Sequence, residues 1–279
     1  MSAIHGFGVH AFGCNVQVEA SCSEAYVTLE RYVYPSLPRV TSLTKPDIFI
    51  RIVRVAGQFQ LLVDDALVAW ADSATSMVPD LIRVLDDAVL QRLTTLRAVH
   101  AGAVSWGGRA LLLPGASHAG KSSLVAELLR RGATYFSDEY ALIDAEGRVH
   151  PYPRPLLVRN GRPQQFPMLA SECDASVGDF SAPVGWILSL RYAPEDGWNV
   201  ARVSQSEALL SLLRNTPHVL AESPDLAGVF QRAVAGANCY AGHRSEASQA
   251  VDQILRLMGY HAPCPLGITN EGIWTRDDR

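Results

Sequence analysis

The eight residues Gly115-Ala116-Ser117-His118-Ala119-Gly120-Lys121-Ser122 constrain this chain more than any other feature. They spell G-x-x-x-x-G-K-[ST] between an apolar strand pattern, Ala110–Pro114, and an amphipathic helix pattern, Ser122–Arg130. Each position has a physical task. Gly115 and Gly120 permit backbone geometries that a side chain would obstruct, so successive N–H groups can gather around an anion. The following helix turns its positive end towards the same anion. Lys121 supplies a mobile cation for β and γ oxygens, and Ser122 offers a hydroxyl to Mg²⁺. The pattern predicts a site for a nucleoside triphosphate with magnesium, ATP and Mg²⁺ being the expected pair. Gly115, Ala116, Ser117, His118, Ala119, Gly120, Lys121, Ser122 and Ser123 are its candidate contacts. His118 either faces solvent or touches a terminal phosphate.

A second acidic element follows. Asp138 and Glu139 close a short strand pattern, Ala133–Phe136, soon after Lys121. If that strand lies near the loop strand, both acids emerge beside the bound phosphates. One could hold Mg²⁺ and the other accept the proton of an attacking hydroxyl. Ser122, Asp138 and Glu139 are therefore the candidate metal ligands, and the sequence leaves the division of labour between the two acids open.

The surrounding pattern is α/β. Asn15–Glu19 and Ile48–Val55 alternate as strands, and Gln58–Val63 with Leu67–Trp70 reads as a hairpin around Asp64-Asp65. Val78, Leu81, Ile82, Leu85, Val89 and Leu93 form one helical stripe ending near Leu96. Val184–Tyr192 reads as a buried strand, and Ser206–Arg214 and Ser245–Met258 as helices. Gly132 stands where a helix C-cap glycine belongs. The expected division is an N-terminal α+β region over residues 1–95 and an ATP-binding region over residues 96–279, with 279 residues in all.

The run His100–Arg159 resembles the catalytic domain of HPr kinase/phosphorylase, and more closely the HPr-kinase-like proteins encoded beside lasso-peptide and other modified-peptide clusters. The resemblance is carried by His100 ahead of the strand, the Gly-Lys-Ser loop, the helix, Gly132 and the acid pair. It implies a P-loop kinase fold of the HPr kinase/phosphoenolpyruvate carboxykinase type, with Asp138 as general base and His100 close enough to tune it. Asp138, His100 and Lys121 become the catalytic candidates. The loop departs from the family at His118, where glycine is usual, and at Ser123, where an acid is common. Glu139 replaces the second Asp of the pair. The Gly-Arg-Asn-rich segment of the bifunctional enzymes is not found, which weighs against phosphorolysis and against HPr as substrate.

Arg154 lies in the stiff run Pro151–Pro155 (PYPRP), as a candidate phosphate or transition-state contact or as a surface charge. Arg191, Arg214 and Arg244 read as surface or helix-end residues. The expected acceptor is a serine hydroxyl of a peptide or small protein, such as a ribosomal precursor peptide. The edge of the Ile48–Val55 strand offers an extended peptide a place to add. A small-molecule or carboxykinase-like enzyme, or a nucleotide-binding regulatory protein, would use the same loop.

A net charge of −4 argues against nucleic acid as the partner. No apolar run approaches the roughly 20 residues that span a bilayer. Five widely spaced cysteines without a C-x-x-C pair read as free thiols of a reducing cytoplasm. A homo-oligomer is compatible with all of this.

Overall fold

The computed structural model describes residues 5–116, 119–159 and 164–260. Within them the chain is mixed α/β, with two large sheets, one small one and six α-helices. In chain order the first elements are β1 (His5–Ala11), β2 (Cys14–Ala20), α1 (Ser23–Tyr32), β3 (Arg39–Val40), β4 (Ile48–Val55), β5 (Gln58–Val63), β6 (Ala66–Ala71) and α2 (Val78–Leu90). The strands form a six-stranded sheet in the order β3-β1-β2-β4-β5-β6.

Alternation explains this sheet. Ile48, Ile50 and Ile52 are buried while the residues between them are half-buried, the signature of a strand with one dry face. The β5–β6 hairpin turns at Asp64 and Asp65, both left-handed (φ 48° and 66°), the geometry a two-residue hairpin turn needs. One expectation fails here. The Ile48–Val55 strand has no open edge, because β2 pairs with it in parallel and β5 folds back along its other side. Among the described residues the sheet's outer strands are β3 and β6.

Helix α2 starts with Pro79 in its first turn and buries Leu81, Ile82, Leu85 and Val89 on one stripe. It stops at Leu90, short of the expected Leu96; the last turn tightens, with Arg92 N–H donating to the Val89 carbonyl, and the Arg92 guanidinium donates to the Ala88 and Asp47 carbonyls.

The second half contributes β7 (Arg97–Trp106), β8 (Arg109–Pro114), α3 (Lys121–Arg130), β9 (Thr134–Ser137), β10 (Tyr140–Ile143), β11 (Arg148–His150), β12 (Leu156–Val158), β13 (Phe166–Met168), β14 (Ala182–Tyr192), β15 (Asn199–Arg202), α4 (Gln205–Arg214), α5 (Leu226–Val234), β16 (Asn238–Arg244) and α6 (Ala247–Leu257). Its main sheet runs β11-β10-β7-β8-β14-β16-β15, with β9 also on β7 and β11 also reaching β14. Strands β8, β14 and β16 are parallel neighbours.

This sheet is covered on both faces. Helices α3 and α6 bury Leu124, Leu128, Ile254 and Leu255 against Leu111 and Leu188 on one side. Helices α4 and α5 bury Leu212, Val229 and Phe230 against Leu112 and Ile187 on the other. Double coverage is why β8 and β14 read as continuous apolar runs. Gly102 of β7 lets α3 approach, since a Cβ there would meet Val125 Cγ2 at 2.8 Å. The six-stranded sheet shares its core with the second half through Ala98, Leu142 and Tyr152. No described helix is long and apolar enough to cross a membrane.

Candidate functional site

The loop after β8 is curled. Gly115 N–H donates to the His100 carbonyl (3.2 Å) and Ala119 N–H to that of Ala116 (3.2 Å). The chain then enters α3 through Gly120, whose φ of 77° is left-handed. A Cβ at Gly120 would run into the Arg244 guanidinium. Ser117 and His118, both candidate contacts, lie outside the described residues.

Lys121 is almost fully buried at the first position of α3. Its Nζ donates to the carbonyls of Gly115 (3.0 Å) and Ala116 (3.1 Å) and lies 3.0 Å from His100 Nε2. Burial draws its pKa below the ordinary lysine range, against the opposing pull of Glu139 and Asp138.

The two acids occupy different surroundings. Asp138 is 1% exposed, and both of its oxygens are taken. Ser122 Oγ donates to Oδ2 at 2.7 Å, as does Leu157 N–H at 3.3 Å. Tyr135 Oη (3.1 Å) and Arg154 Nη1 (3.2 Å) donate to Oδ1. A buried carboxylate survives only with such compensation.

Glu139 instead lines a cavity of about 730 Å³ together with Lys121, Ser122, Ser123, Arg154 and Tyr140. Its Oε1 sits 2.6 Å from His100 Nε2. Burial pushes the Glu139 pKa up. The His100 hydrogen bond and the charges of His100, Arg154 and Lys121 outweigh it and bring the carboxyl down to about 2. His100 is placed by strand pairing, opposite Tyr140 on β10, and its backbone N–H donates to the Asn215 carbonyl at the end of α4 (2.7 Å).

Arg154 is not a surface charge on a rigid loop. It is 5% exposed and joins Asp138 to Asp86, with Nε 3.4 Å from Asp86 Oδ2. Burial alone would lower its pKa, but the two carboxylates raise it. Asp86 comes from α2 and accepts from Tyr152 Oη at 2.7 Å, and Tyr152 meets Tyr34 Oη at 3.0 Å. Burial lifts Asp86 to about 7 against the pull of Arg154. The N-terminal half thus supplies Arg83, Asp86 and Asp87 to the cavity wall, a contribution the sequence pattern did not reveal.

Arg244 corrects the reading of a surface or helix-end residue. It ends β16, is 2% exposed, and its Nη2 donates to the carbonyls of Ala119 (3.1 Å) and Gly120 (3.2 Å). Burial lowers its pKa. No sequence signal marks it, because the strand that carries it lies more than a hundred residues from the loop it braces. Arg191 and Arg214 line a second cavity, of about 700 Å³, together with Gly115, Ala116 and Ala119 of the loop.

Cys14, Cys22, Cys173 and Cys239 are free thiols. Among the described residues, no three His, Cys, Asp or Glu side chains gather into a ready-made metal cage. A cation here would draw further ligands from phosphate and water, as magnesium does. Comparison with protein-family models and with curated proteins finds no match to this chain.

Proposed function

We propose that the protein is an ATP- and magnesium-dependent kinase of the HPr-kinase-like type, transferring the γ-phosphoryl group to a hydroxyl, with serine of a peptide or small protein as the acceptor class. The observation that carries this reading is the Ser122–Asp138 hydrogen bond at the first turn of α3, with Glu139 facing the same cavity. A loop lysine, a metal-holding hydroxyl and an adjacent acid are the parts phosphoryl transfer needs. The same reading keeps the protein in the cytoplasm, where ATP and reduced thiols are found.

The geometry favours dividing the acids differently from what the family resemblance implies. Asp138, buried with four donors on its two oxygens, suits orienting the Ser122 hydroxyl, through which a cation would be held. Glu139, facing the cavity and oriented by His100, suits accepting the proton. Magnesium, when bound, would neutralise charge on the phosphate oxygens; Ser122 is the residue that would hold it, with Asp138 fixing the Ser122 hydroxyl.

In this scheme the loop and Lys121 bind the triphosphate and Arg154 fixes Asp138. The acceptor hydroxyl oxygen bonds to the γ-phosphorus, the bond from that phosphorus to the β–γ bridging oxygen breaks, ADP departs, and the hydroxyl proton passes to Glu139. The Glu139 carboxyl is held low partly by Lys121 and Arg154. A triphosphate offsets those charges, so the proton affinity of Glu139 rises when substrate arrives.

Incubation with γ-labelled ATP and serine-containing peptides, read by mass spectrometry, tests the assignment. Wild type is expected to add one phosphoryl group to a serine, and Glu139→Gln to bind ATP without transferring it. Label appearing only on a small metabolite, or near-normal transfer by Glu139→Gln, would overturn the acceptor class and the base respectively.

A further inference from the structure

A continuous series of polar contacts runs from the N-terminal half to the hydroxyl that would hold the cation. Tyr34, just beyond α1, lies 3.0 Å from Tyr152 between their hydroxyl oxygens. Tyr152 Oη is 2.7 Å from Asp86 Oδ1 on α2. Asp86 Oδ2 is 3.4 Å from Arg154 Nε, and Arg154 Nη1 donates to Asp138 Oδ1 at 3.2 Å. Asp138 Oδ2 accepts from Ser122 Oγ at 2.7 Å. We propose that Asp86 is a positioning residue for the cation: acting through Arg154 and Asp138, it sets the direction of the Ser122 hydroxyl, so that the N-terminal half governs how strongly magnesium ties the triphosphate to the loop. The inference rests on the triphosphate reading given above.

Proton counting gives the series its polarity. A carboxylate only accepts, and a guanidinium only donates. Tyr152 therefore gives its one proton to Asp86 and takes one from Tyr34. At the far end Ser122 gives its one proton to Asp138, which leaves its lone pairs for the cavity that Ser122 lines. Lone pairs are what a hard cation binds. A Ser122 proton turned outward would meet the cation instead.

Asp138 keeps its orientation through Arg154. Its other side-chain and backbone partners there are neutral. Leu157 N–H is one, and Tyr135 Oη must divide a single proton between Asp138 Oδ1 at 3.1 Å and the Arg154 carbonyl at 2.8 Å. Arg154 forms ion pairs with Asp138 on one side and Asp86 on the other. Its Nε is buried and makes no hydrogen bond, so the link to Asp86 is one of charge. Tyr34, Tyr152, Asp86, Arg154 and Asp138 are each no more than 5% exposed, and in such dry surroundings a missing charge is not replaced by water.

Calorimetric titration of the full-length protein with ATP, in saturating magnesium and again in EDTA, tests this at pH 8. Burial lifts Asp86 only to about 7, so it is ionised there. Wild type is expected to bind ATP more tightly with magnesium than without. Asp86→Asn is expected to weaken binding with magnesium about tenfold, the loss typical when a partner of a metal-holding group is removed, and to leave binding in EDTA within about twofold. General damage to the fold would weaken both alike. Equal weakening in the two conditions, or none in either, overturns the inference while the triphosphate reading stands. So does a wild type that binds ATP equally with and without magnesium. If Asp86→Asn fails to fold, Tyr152→Phe decides, since it keeps the ring and the Asp86 charge. It is expected to weaken binding with magnesium at least about threefold and binding in EDTA not at all, and an unchanged ratio overturns the inference. A wild type that binds ATP in neither condition overturns the triphosphate reading and this inference with it.

Discussion

The two large sheets solve the problem of their hydrophobic faces differently. The N-terminal sheet is dry on one side, and its outer strand β6 leaves Leu67, Val68 and Trp70 exposed. The central sheet is covered by helices on both sides, and β8 beyond Arg109 and the stretch of β14 from Val184 to Leu188 are buried. Double coverage forces connections out at the strand ends, and the Gly115–Ser122 loop leaves one of those ends. The candidate chemistry therefore gathers on the central sheet. The N-terminal half lends a helix face, with Asp86 tying it to Arg154. Position in the layering, more than fold type, separates the part that is expected to react from the part that supports it.

If that contrast holds, the largest effect belongs to Glu139. Glu139→Gln should lower the transfer rate about a thousandfold, within the range for loss of a general base, with ATP affinity nearly unchanged. Single-turnover kinetics beside calorimetry would check the split.

Next in size is the stability difference between the sheets. Phe136, on β9 and fully buried, should cost about 3–5 kcal/mol when changed to Ala. Trp70, at the exposed edge, should change stability by no more than about 0.5 kcal/mol. Urea unfolding of both variants measures the contrast, and equal losses would break it.

Arg154→Met probes the joint between the halves. It leaves Asp86 and Asp138 buried without their shared cation, and a loss of about 3 kcal/mol is expected in the same unfolding experiment.

The smallest effect is one of pH. The Glu139 carboxyl is depressed from 4.5 to about 2 in the folded protein. Its contribution is therefore fully present above pH 4.5 and fades as the pH falls towards 2. Across that window wild type should lose up to about 2–3 kcal/mol more than Glu139→Gln, as read from the difference between their acid-unfolding curves.

Much of this arrangement was legible in advance where one local signal sufficed. The strand and helix on either side of the Gly115–Ser122 run followed from an apolar run and an amphipathic one, and the β5–β6 hairpin from adjacent aspartates between apolar runs. The mixed α/β class followed from periods of two and 3.6. What stayed hidden depends on contacts distant in the chain. Arg244 braces the loop from more than a hundred residues away, and Asp86 reaches Arg154 from another helix. The pairing of Ile48–Val55 was misjudged because alternation reports a dry face and says nothing about which edges are filled. Asp138 and Glu139 were indistinguishable as letters. Strand β9 ends at Ser137, and from there one acid falls inward onto Ser122 while its neighbour turns to His100.

The central claim is that Lys121 and its loop grip a triphosphate. Titration calorimetry with Mg·ATP on folded wild type and on Lys121→Met tests it most directly. Saturable one-to-one binding by wild type, weakened about a hundredfold in the variant, is the expected result. Identical heats for the two proteins, or none from folded wild type, would contradict it.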